Sequence, residues 1–477
     1  MFRSGFICIL SVSLAASAMF AQVTTADIVG RVTDSSTAIL PNAKVTVENL
    51  DTHDIRKATS GENGDYSFTL LPIGRYTLHV EAANFKGFSV PTLTLASGDR
   101  ARVDAELSVG LVSESVSVEA QAPALQSDSS TTDSVVTTRA VQDLPLNGRN
   151  FSTLAQLAPG TNAGAANALS SGTRPDDRRP GVTVSVGAQG SQVNNYMVDG
   201  MDNNDRAIGT AIVRPSIDAL AEIHIQTNLY TAEVGRTAGG VVNLLTKSGT
   251  NAIRGTVYEF FRNDKMDARN FFALTKPKFR QNQYGGSVGG PVRKDKTFFF
   301  GDLEEFTQVQ GQTFTANVPT DAVKTGNFGG IAKIYDPNST VCTAVGVCSR
   351  TEFLNDQIPL SRLNSLAQKY MQLYPGQNKL NTSSTGLYTS SFPKTQKYGT
   401  LDARVDQRFS EKDYFYARYS FNDTTTFIPG NLPAQTVAGI GLVDPTGSTA
   451  GIVGPALQRA QGLQLNHVHI IRGCAWC

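Results

Sequence analysis

Charge is the first thing this sequence is short of. Asp, Glu, Lys and Arg make up 17% of its 477 residues, against about a quarter in ordinary soluble domains. With a net charge of +1, no general electrostatic pull toward nucleic acid is expected. Histidine is scarce, at five residues, and His53 and His79 have no zinc-ligand spacing around them. No metal or cofactor is therefore expected. Beyond the N-terminus no stretch approaches the roughly 20 apolar residues of a transmembrane helix. Any residence in a membrane must then use a β-barrel, the other structure that satisfies its own backbone in lipid.

Glycine, by contrast, is plentiful at 43 residues, and Asn, Ser and Thr are common, which is a composition of strands and turns. The length predicts two to four domains. The first residues read as an export signal over 1–21: Arg3, an apolar run from Phe6 to Ala16, and the small-residue pattern Ala16-Ser17-Ala18, with cleavage after Ala21 as a competing choice. Cys8 falls within it. Of the four later cysteines, Cys342 and Cys348 could close a small disulfide loop after export or remain a free pair, because spacing alone does not report geometry.

Residues 22–110 show short alternating runs bounded by turns, such as Tyr66, Phe68 and Leu70, then Tyr76, Leu78 and Val80. About seven strands at this spacing predict a β-sandwich. The string GENGDYSFTLLPIGRYTLHVEAANF resembles the carboxypeptidase regulatory-like domain, a transthyretin-like sandwich. Residues 111–138 read as a linker. Leu111 to Ala122 alternates apolar and polar residues, and Ser127 to Thr138 is a flexible Ser/Thr/Asp stretch with little to bury. The segment serves either as a simple connection or as an extended peptide that adds to the edge of a partner's sheet.

Residues 139–251 mix elements. A short helix between Asn150 and Leu157 would place Phe151, Leu154 and Leu157 on one face, ended by Pro159. Val182, Val184 and Val186 alternate as a strand, and Pro215 to Ile225 reads as a helix-to-strand unit. Asp199, Asp202 and Asp205 lie in an Asx-rich stretch whose spacing does not fit an EF-hand, and a solvated turn is expected there. Gly235, Gly239 and Gly240 lead into the apolar run Val241 to Leu245. Lys247 to Asn251 is then a turn, and a new strand begins near Gly255. Thr231 to Arg262 reads as a hinge between a plug-like domain and a barrel, or as an ordinary hairpin of a large β protein.

From 252 onward the alternation is clearest in Leu401 to Phe421. Leu401, Ala403, Val405 and Gln407 share one face and Asp402, Arg404, Asp406 and Arg408 the other. After the turn Ser410 to Asp413, Phe415, Ala417, Tyr419 and Phe421 oppose Tyr414, Tyr416, Arg418 and Ser420. A half-buried soluble sheet gives the same alternation. Between the hairpins Thr307 to Pro393 is a long loop with an amphipathic helix expected at Leu363, Leu366, Ala367 and Tyr370.

Several decoys carry no chemistry. Gly285-Gly286-Ser287-Val288-Gly289 matches the G-x-S-x-G nucleophile pattern, but Gly290-Pro291 follows where that motif needs a helix. His467-x-His469 with Cys474-x-x-Cys477 has the residue types of a zinc site without a supporting context. No catalytic set assembles, and an enzyme is not expected.

The strings LPLNGRNF, NYMVDGMDNND, TAEVGRTAGGVVNLLTKSGTN and RGTVYEFFRNDKMDARNFF, then RQNQYGGSVGGPVRKDKTFFFGDLEEF and QIPLSRLNSLAQKYMQLYP, together resemble the Oar-like TonB-dependent outer-membrane receptors. The resemblance implies a mainly β chain in the order sandwich, α+β plug, antiparallel barrel, with outer-membrane lipid around the last. It singles out Asn147, Gly148, Arg149, Asp199, Gly200, Gly239 and Gly240 as plug-motif positions. By position, Glu114, Ser115, Val116, Ser117 and Val118 best match the segment that pairs with the energy-transducing TonB protein. The implied function is uptake of a ligand, with oligosaccharide, peptide, siderophore and protein cargo all compatible. The alternative is a surface adhesion or protein-interaction protein without transport. Such barrels have about 22 strands, whereas the residues after 252 provide roughly 6 to 10, and the chain lacks a terminal alternating strand with a final aromatic residue. A truncated receptor is therefore expected.

Overall fold

The computed structural model describes residues 24–110, 115–117, 131–144, 146, 149–163, 184–190, 193–205, 209–230, 234–235, 237–269, 276–378, 386–430, 432–433, 435–437, 441–443 and 454–470. The expected export signal, Glu114, Val118, Asn147, Gly148, Cys474 and Cys477 lie outside the described residues.

Strands β1 (Thr25–Asp34), β2 (Lys44–Asn49), β3 (Ile55–Thr59), β4 (Asp65–Pro72), β5 (Gly74–Glu81), β6 (Gly87–Leu95), β7 (Arg100–Arg102) and β8 (Ala105–Leu107) build the N-terminal sandwich. One sheet runs β4-β1-β7 with β8 also on β1; the other runs β3-β2-β5-β6 and ends on β9 (Ser115–Ser117). Alternation explains the core, since Val45, Val47, Leu78 and Val80 point inward and are buried against Ile28 and Val32. Gly30 is required by close approach: a Cβ there would sit 1.8 Å from the Val103 carbonyl oxygen, which also accepts the Tyr66 hydroxyl at 2.6 Å.

The second body is a five-stranded sheet in the order β10-β17-β18-β13-β14. Its strands are β10 (Thr132–Val136), β13 (Asn195–Val198), β14 (Met201–Asp202), β17 (Leu220–Asn228) and β18 (Val241–Thr246). The small pairs β11 (Thr161–Ala163) with β12 (Val184–Val186) and β15 (Asn204–Asp205) with β16 (Thr210–Ala211) flank it. Every residue of β18 is buried, as an apolar strand covered on both faces should be. The helix Phe151–Ala155 is capped by the Asn150 side chain, which accepts from the Ser152 N–H. Phe151 and Leu154 are buried, whereas Leu157 is 58% exposed because the helix ends before reaching it. Thr132–Val136 departs from the flexible stretch expected there. It pairs antiparallel with β17, and the His224 ring within β17 meets Asp133 at 2.9 Å. Backbone pairing, the His224–Asp133 contact, the Thr227 hydroxyl donating to the Thr132 carbonyl at 3.2 Å and the buried Val136 order a segment whose composition offers little to bury.

The third body is an antiparallel sheet, β19-β20-β21-β24-β25-β28. Its strands are β19 (Arg254–Asn263), β20 (Phe279–Arg293), β21 (Thr297–Val318), β24 (Gly386–Arg408), β25 (Asp413–Ile428) and β28 (Gly454–His469). Among the described residues β19 and β28 are its free edges. Short turns join β20 to β21 and β24 to β25, while the other three connections are long, the asymmetry expected between the periplasmic and outer ends of such walls. The longest connection contains the hairpin β22 (Val341–Cys342) and β23 (Cys348–Ser349), closed by a disulfide between Cys342 and Cys348. Near the outer end β26 (Gln435–Val437) pairs with β27 (Gly441–Val443). The amphipathic helix expected in the longest connection forms over Ser365–Met371, but it buries nothing, with Leu366 74% and Tyr370 53% exposed. Helical spacing was present without a surface to receive it.

Candidate functional site: the plug against the polar face of the wall

The wall alternates as the sequence predicts, with the buried face polar. Asp402, Asp406, Arg418, Ser420 and Asn422 point inward and are buried, while Leu303, Leu401, Val405, Phe427, Leu463 and Leu465 point outward and are exposed. Gly285 to Gly289 lies inside β20, and Ser287 shares a hydrogen bond with Thr256 on β19 at 2.9 Å, so there is no nucleophile elbow. His467 and His469 both approach Asp413.

The plug sheet meets this polar face through the turn between β13 and β14. Asp199 (φ 48°) and Gly200 (φ 77°) both adopt positive φ, as a tight two-residue turn requires. The Asp199 carboxylate accepts the Thr246 N–H at 2.8 Å and the Thr246 hydroxyl at 2.7 Å, which locks the turn to the last plug strand. It then reaches two wall arginines: Arg418 Nε stands 2.9 Å from Oδ2 and Arg404 Nη1 3.6 Å from Oδ1. The Asp199 carbonyl accepts the Gln464 side-chain amide at 2.9 Å. The expectation of a solvated turn is thus corrected: Asp199 is 2% exposed. Charges so buried need partners, and each has them. Arg404 also pairs with Asp406 at 2.9 Å and lies 4.2 Å over the Tyr416 ring. Arg418 donates to Ser420 at 2.7 Å and to Gln464 at 2.9 Å, and Ser420 donates in turn to Asp402.

A second group lies toward the outer end. Arg149 pairs with Asp218 of the plug and stands 3.8 Å from Glu304 of β21, with its guanidinium over Tyr258 and Phe260 of β19. Tyr258 donates to Glu304 at 2.8 Å. Ser216 donates to Asp302 at 2.6 Å, and Asn422 clasps the Arg214 backbone by accepting its N–H at 2.6 Å and donating to its carbonyl at 3.1 Å. Gly239 and Gly240 serve packing inside the plug: a Cβ on either would fall 2.4 Å from Asn194 or Val186. The structure therefore brings Arg149 and Asp199 to the wall and leaves the two glycines behind them. The sequence placed Arg404 and Arg418 on the inward face but gave them no role. The available signal was that Arg404 alternates with Asp402 and Asp406 on one face of a strand, with Arg418 on the polar face of the next.

At the short-turn end the sandwich touches both other bodies. The buried Glu222 of β17 accepts the Ser97 N–H at 2.8 Å. Burial pushes its carboxyl up from 4.5 to about 7, against the Ser97 N–H, which favours the charged form. Arg408, beside the β24–β25 turn, pairs with Asp54 and donates to the Ile55 carbonyl at 3.3 Å. Asn251, in the connector to β19, donates its N–H to the Asp51 carbonyl at 3.0 Å and holds Asp295 of the β20–β21 turn. A cavity of about 860 Å³ lies where the three bodies meet, bordered by Asp51, Thr138, Glu222, Lys247, Arg254 and Tyr414. Burial holds the Lys247 ammonium below the ordinary lysine value. Of the coupling candidates, Ser115–Ser117 form β9, paired in parallel with Gly87–Ser89 of β6.

A sandwich, a plug sheet and a polar-lined, apolar-coated wall define an outer-membrane receptor architecture. Residues 245–473 match the outer membrane beta barrel domain family, and residues 27–108 match the carboxypeptidase regulatory-like domain. The TonB-dependent transporter Oar of Myxococcus xanthus is 28% identical over 312 residues, covering 62% of this chain and 28% of the relative. Over these residues the chain is similar to outer membrane beta barrel domains, carboxypeptidase regulatory-like domains and the TonB-dependent transporter Oar, and the matches indicate the outer membrane. The chain spans a little over a quarter of that relative's length. Among solved structures, the outer membrane transporter YddB of Escherichia coli aligns at 11% identity and TM-score 0.39, over 63% of this chain and 34% of that one. A ferric enterobactin receptor (PfeA) mutant from Pseudomonas aeruginosa aligns at 12% and 0.40, over 72% and 38%. Likeness at that level carries no argument about ligand.

Proposed function

We propose that this chain supplies the periplasmic sandwich, the coupling segment, the plug and one side of the wall of a gated uptake passage, and that it has no catalytic activity. The observation that supports this most directly is Asp199, which ties the last plug strand to two inward arginines of the wall. A plug held by polar contacts on the face of an amphipathic sheet suits a part that must stay seated and yet be moved. Ion pairs and hydrogen bonds can be exchanged for water when a lumen floods, whereas an apolar interface would resist wetting. In lipid the edges of β19 and β28, free among the described residues, would need backbone partners.

Coupling is assigned to residues 114–118, whose backbone can add to a strand of the TonB protein. The domain order in this reading is sandwich to 110, coupling segment, plug to 251, and wall from 252. The ligand enters from the side of the long connections, and its chemistry is left open. The test is site-specific crosslinking in cells. A Val116→Cys receptor should form a disulfide with a cysteine-bearing TonB C-terminal domain, and a Val116→Pro receptor should lose TonB-dependent function. Equal crosslinking from cysteine placed at Ser67, on the outside of the sandwich, would sink the assignment.

A further inference from the structure

The apolar cores of the sandwich and the plug share no residue. Among the described residues, hydrogen bonds and ion pairs join the sandwich to its neighbours: Ser97 to Glu222, Asp54 to Arg408, the Asp51 carbonyl to the Asn251 N–H, and the Asp51 carboxylate to Arg254 at 3.8 Å. Polar interfaces of this kind let domains move against one another. The same seat encloses the 860 Å³ cavity. To its lining the sandwich contributes Leu70, Ile73 and Thr94, and the plug and wall contribute Asp199, Thr246 and Arg404. The ion pairs that seat the plug therefore face a space that the sandwich helps to close.

Leu70 departs from the sandwich toward this space. Thr69 and Leu70 of β4 stand against the single Asp27 of β1, a bulge between the pairs Ala26–Leu71 and Ile28–Phe68. The Asp27 carboxylate accepts the Leu70 N–H at 3.1 Å, and Leu70 sits at φ 57°, a conformation uncommon outside glycine. Leu71 consequently fills the sandwich core, and Leu70 is left 40% exposed at the cavity. The alternation expected through Tyr66, Phe68 and Leu70 breaks here. Strain that the core does not use points to a role outside it.

We propose that the sandwich is a reversible lid on this cavity, with Leu70 as its inner contact, and that while docked it keeps bulk water from the Asp199 ion pairs. An ion pair weakens as water replaces low-dielectric surroundings. Docking therefore tightens the hold of the plug on the wall, and lifting loosens it without parting an apolar core. The Leu70 side chain leaves water only when the lid is closed, which favours the docked state. The purpose of the lid rests on the gated passage proposed above, whereas its geometry does not.

The test is amide hydrogen exchange on the full chain, read at Thr246 to Thr250, which border the cavity and begin with the N–H bonded to Asp199. Asp51→Cys with Asn251→Cys ties the lid down where the two backbones meet. Thr46→Cys with Lys57→Cys, register partners inside the sandwich, is the control. Leu70→Gly keeps the positive φ accessible and removes the side chain. The oxidised tether should slow exchange at these amides several-fold, Leu70→Gly should speed it several-fold, and the control should leave it unchanged. A tether that fails to oxidise, that has no effect, or that the control equals, overturns the lid. Exchange in Leu70→Gly no faster than in the parent, or equally faster in β5 through general loosening of the sandwich, overturns the contact assigned to Leu70. The measurement needs neither ligand nor TonB, so its failure is distinct from failure of the crosslinking that tests the proposed function.

Discussion

The sandwich and the wall obey the same period of two with opposite sign. In β2 and β5 the inward positions are Val45, Val47, Leu78 and Val80. In β24 and β25 they are Asp402, Asp406, Arg418 and Ser420, and the apolar residues face out. The backbone geometry is common to both, so the difference lies in what each face meets. Water surrounds the sandwich, whereas lipid surrounds the wall and a polar plug fills it. Alternation thus reports that two faces differ, and only the partner of each face tells which one is the interior.

The strongest way to break this comparison is to remove a charge from the polar interior. Asp199→Ala leaves Arg418 buried without its carboxylate, and breaking a buried pair in this way costs about 3–5 kcal/mol. Chemical unfolding of the receptor should show it, together with faster proteolysis of the plug; a loss below about 1 kcal/mol would mean that the pair is not seated in a dry interior.

The outer faces of wall and sandwich should respond differently to a buried-in-lipid charge. Leu303 of β21 is 52% exposed, and Ser67 of β4 is also exposed. Leu303→Arg should cost about 2–4 kcal/mol if that position lies near mid-bilayer, whereas Ser67→Arg should stay within about 0.5 kcal/mol. Equal small effects, read as unfolding midpoints in lipid, would remove the distinction between the two solvents.

Where the sandwich adjoins the plug, Glu222 makes stability sensitive to pH. Its carboxyl titrates near 7 when folded and near 4.5 otherwise. A raised carboxylate stabilises the protonated folded form, so no stability is lost below about 4.5. The penalty grows as pH rises and is complete above about 7, reaching on the order of 3 kcal/mol. Glu222→Gln keeps an oxygen for the Ser97 N–H and should flatten this slope between pH 5 and 7.5. An unchanged slope would place the titration elsewhere.

Much of the fold is legible in the sequence because it rests on local pattern. The Leu401 to Phe421 hairpin, the buried run at Val241 to Leu245 and the turn signals of the sandwich are all short-range features. What escaped depends on distant partners. Asp199 reads as a turn residue because Asp-Gly is a turn signal, and its arginines lie about two hundred residues further along the chain. Thr132–Val136 reads as loose because its order comes from β17. Leu366 and Tyr370 read as an amphipathic face, yet no neighbour covers them. Helix spacing describes a face and cannot supply the surface that buries it.

The central claim is that Asp199 and the wall arginines form one energetic unit joining plug to wall. A double-mutant cycle of Asp199→Ala and Arg418→Ala, read by unfolding of the receptor, tests it most directly. A coupling energy of about 1–3 kcal/mol between the two sites is expected. Additive effects, within about 0.5 kcal/mol, would contradict it.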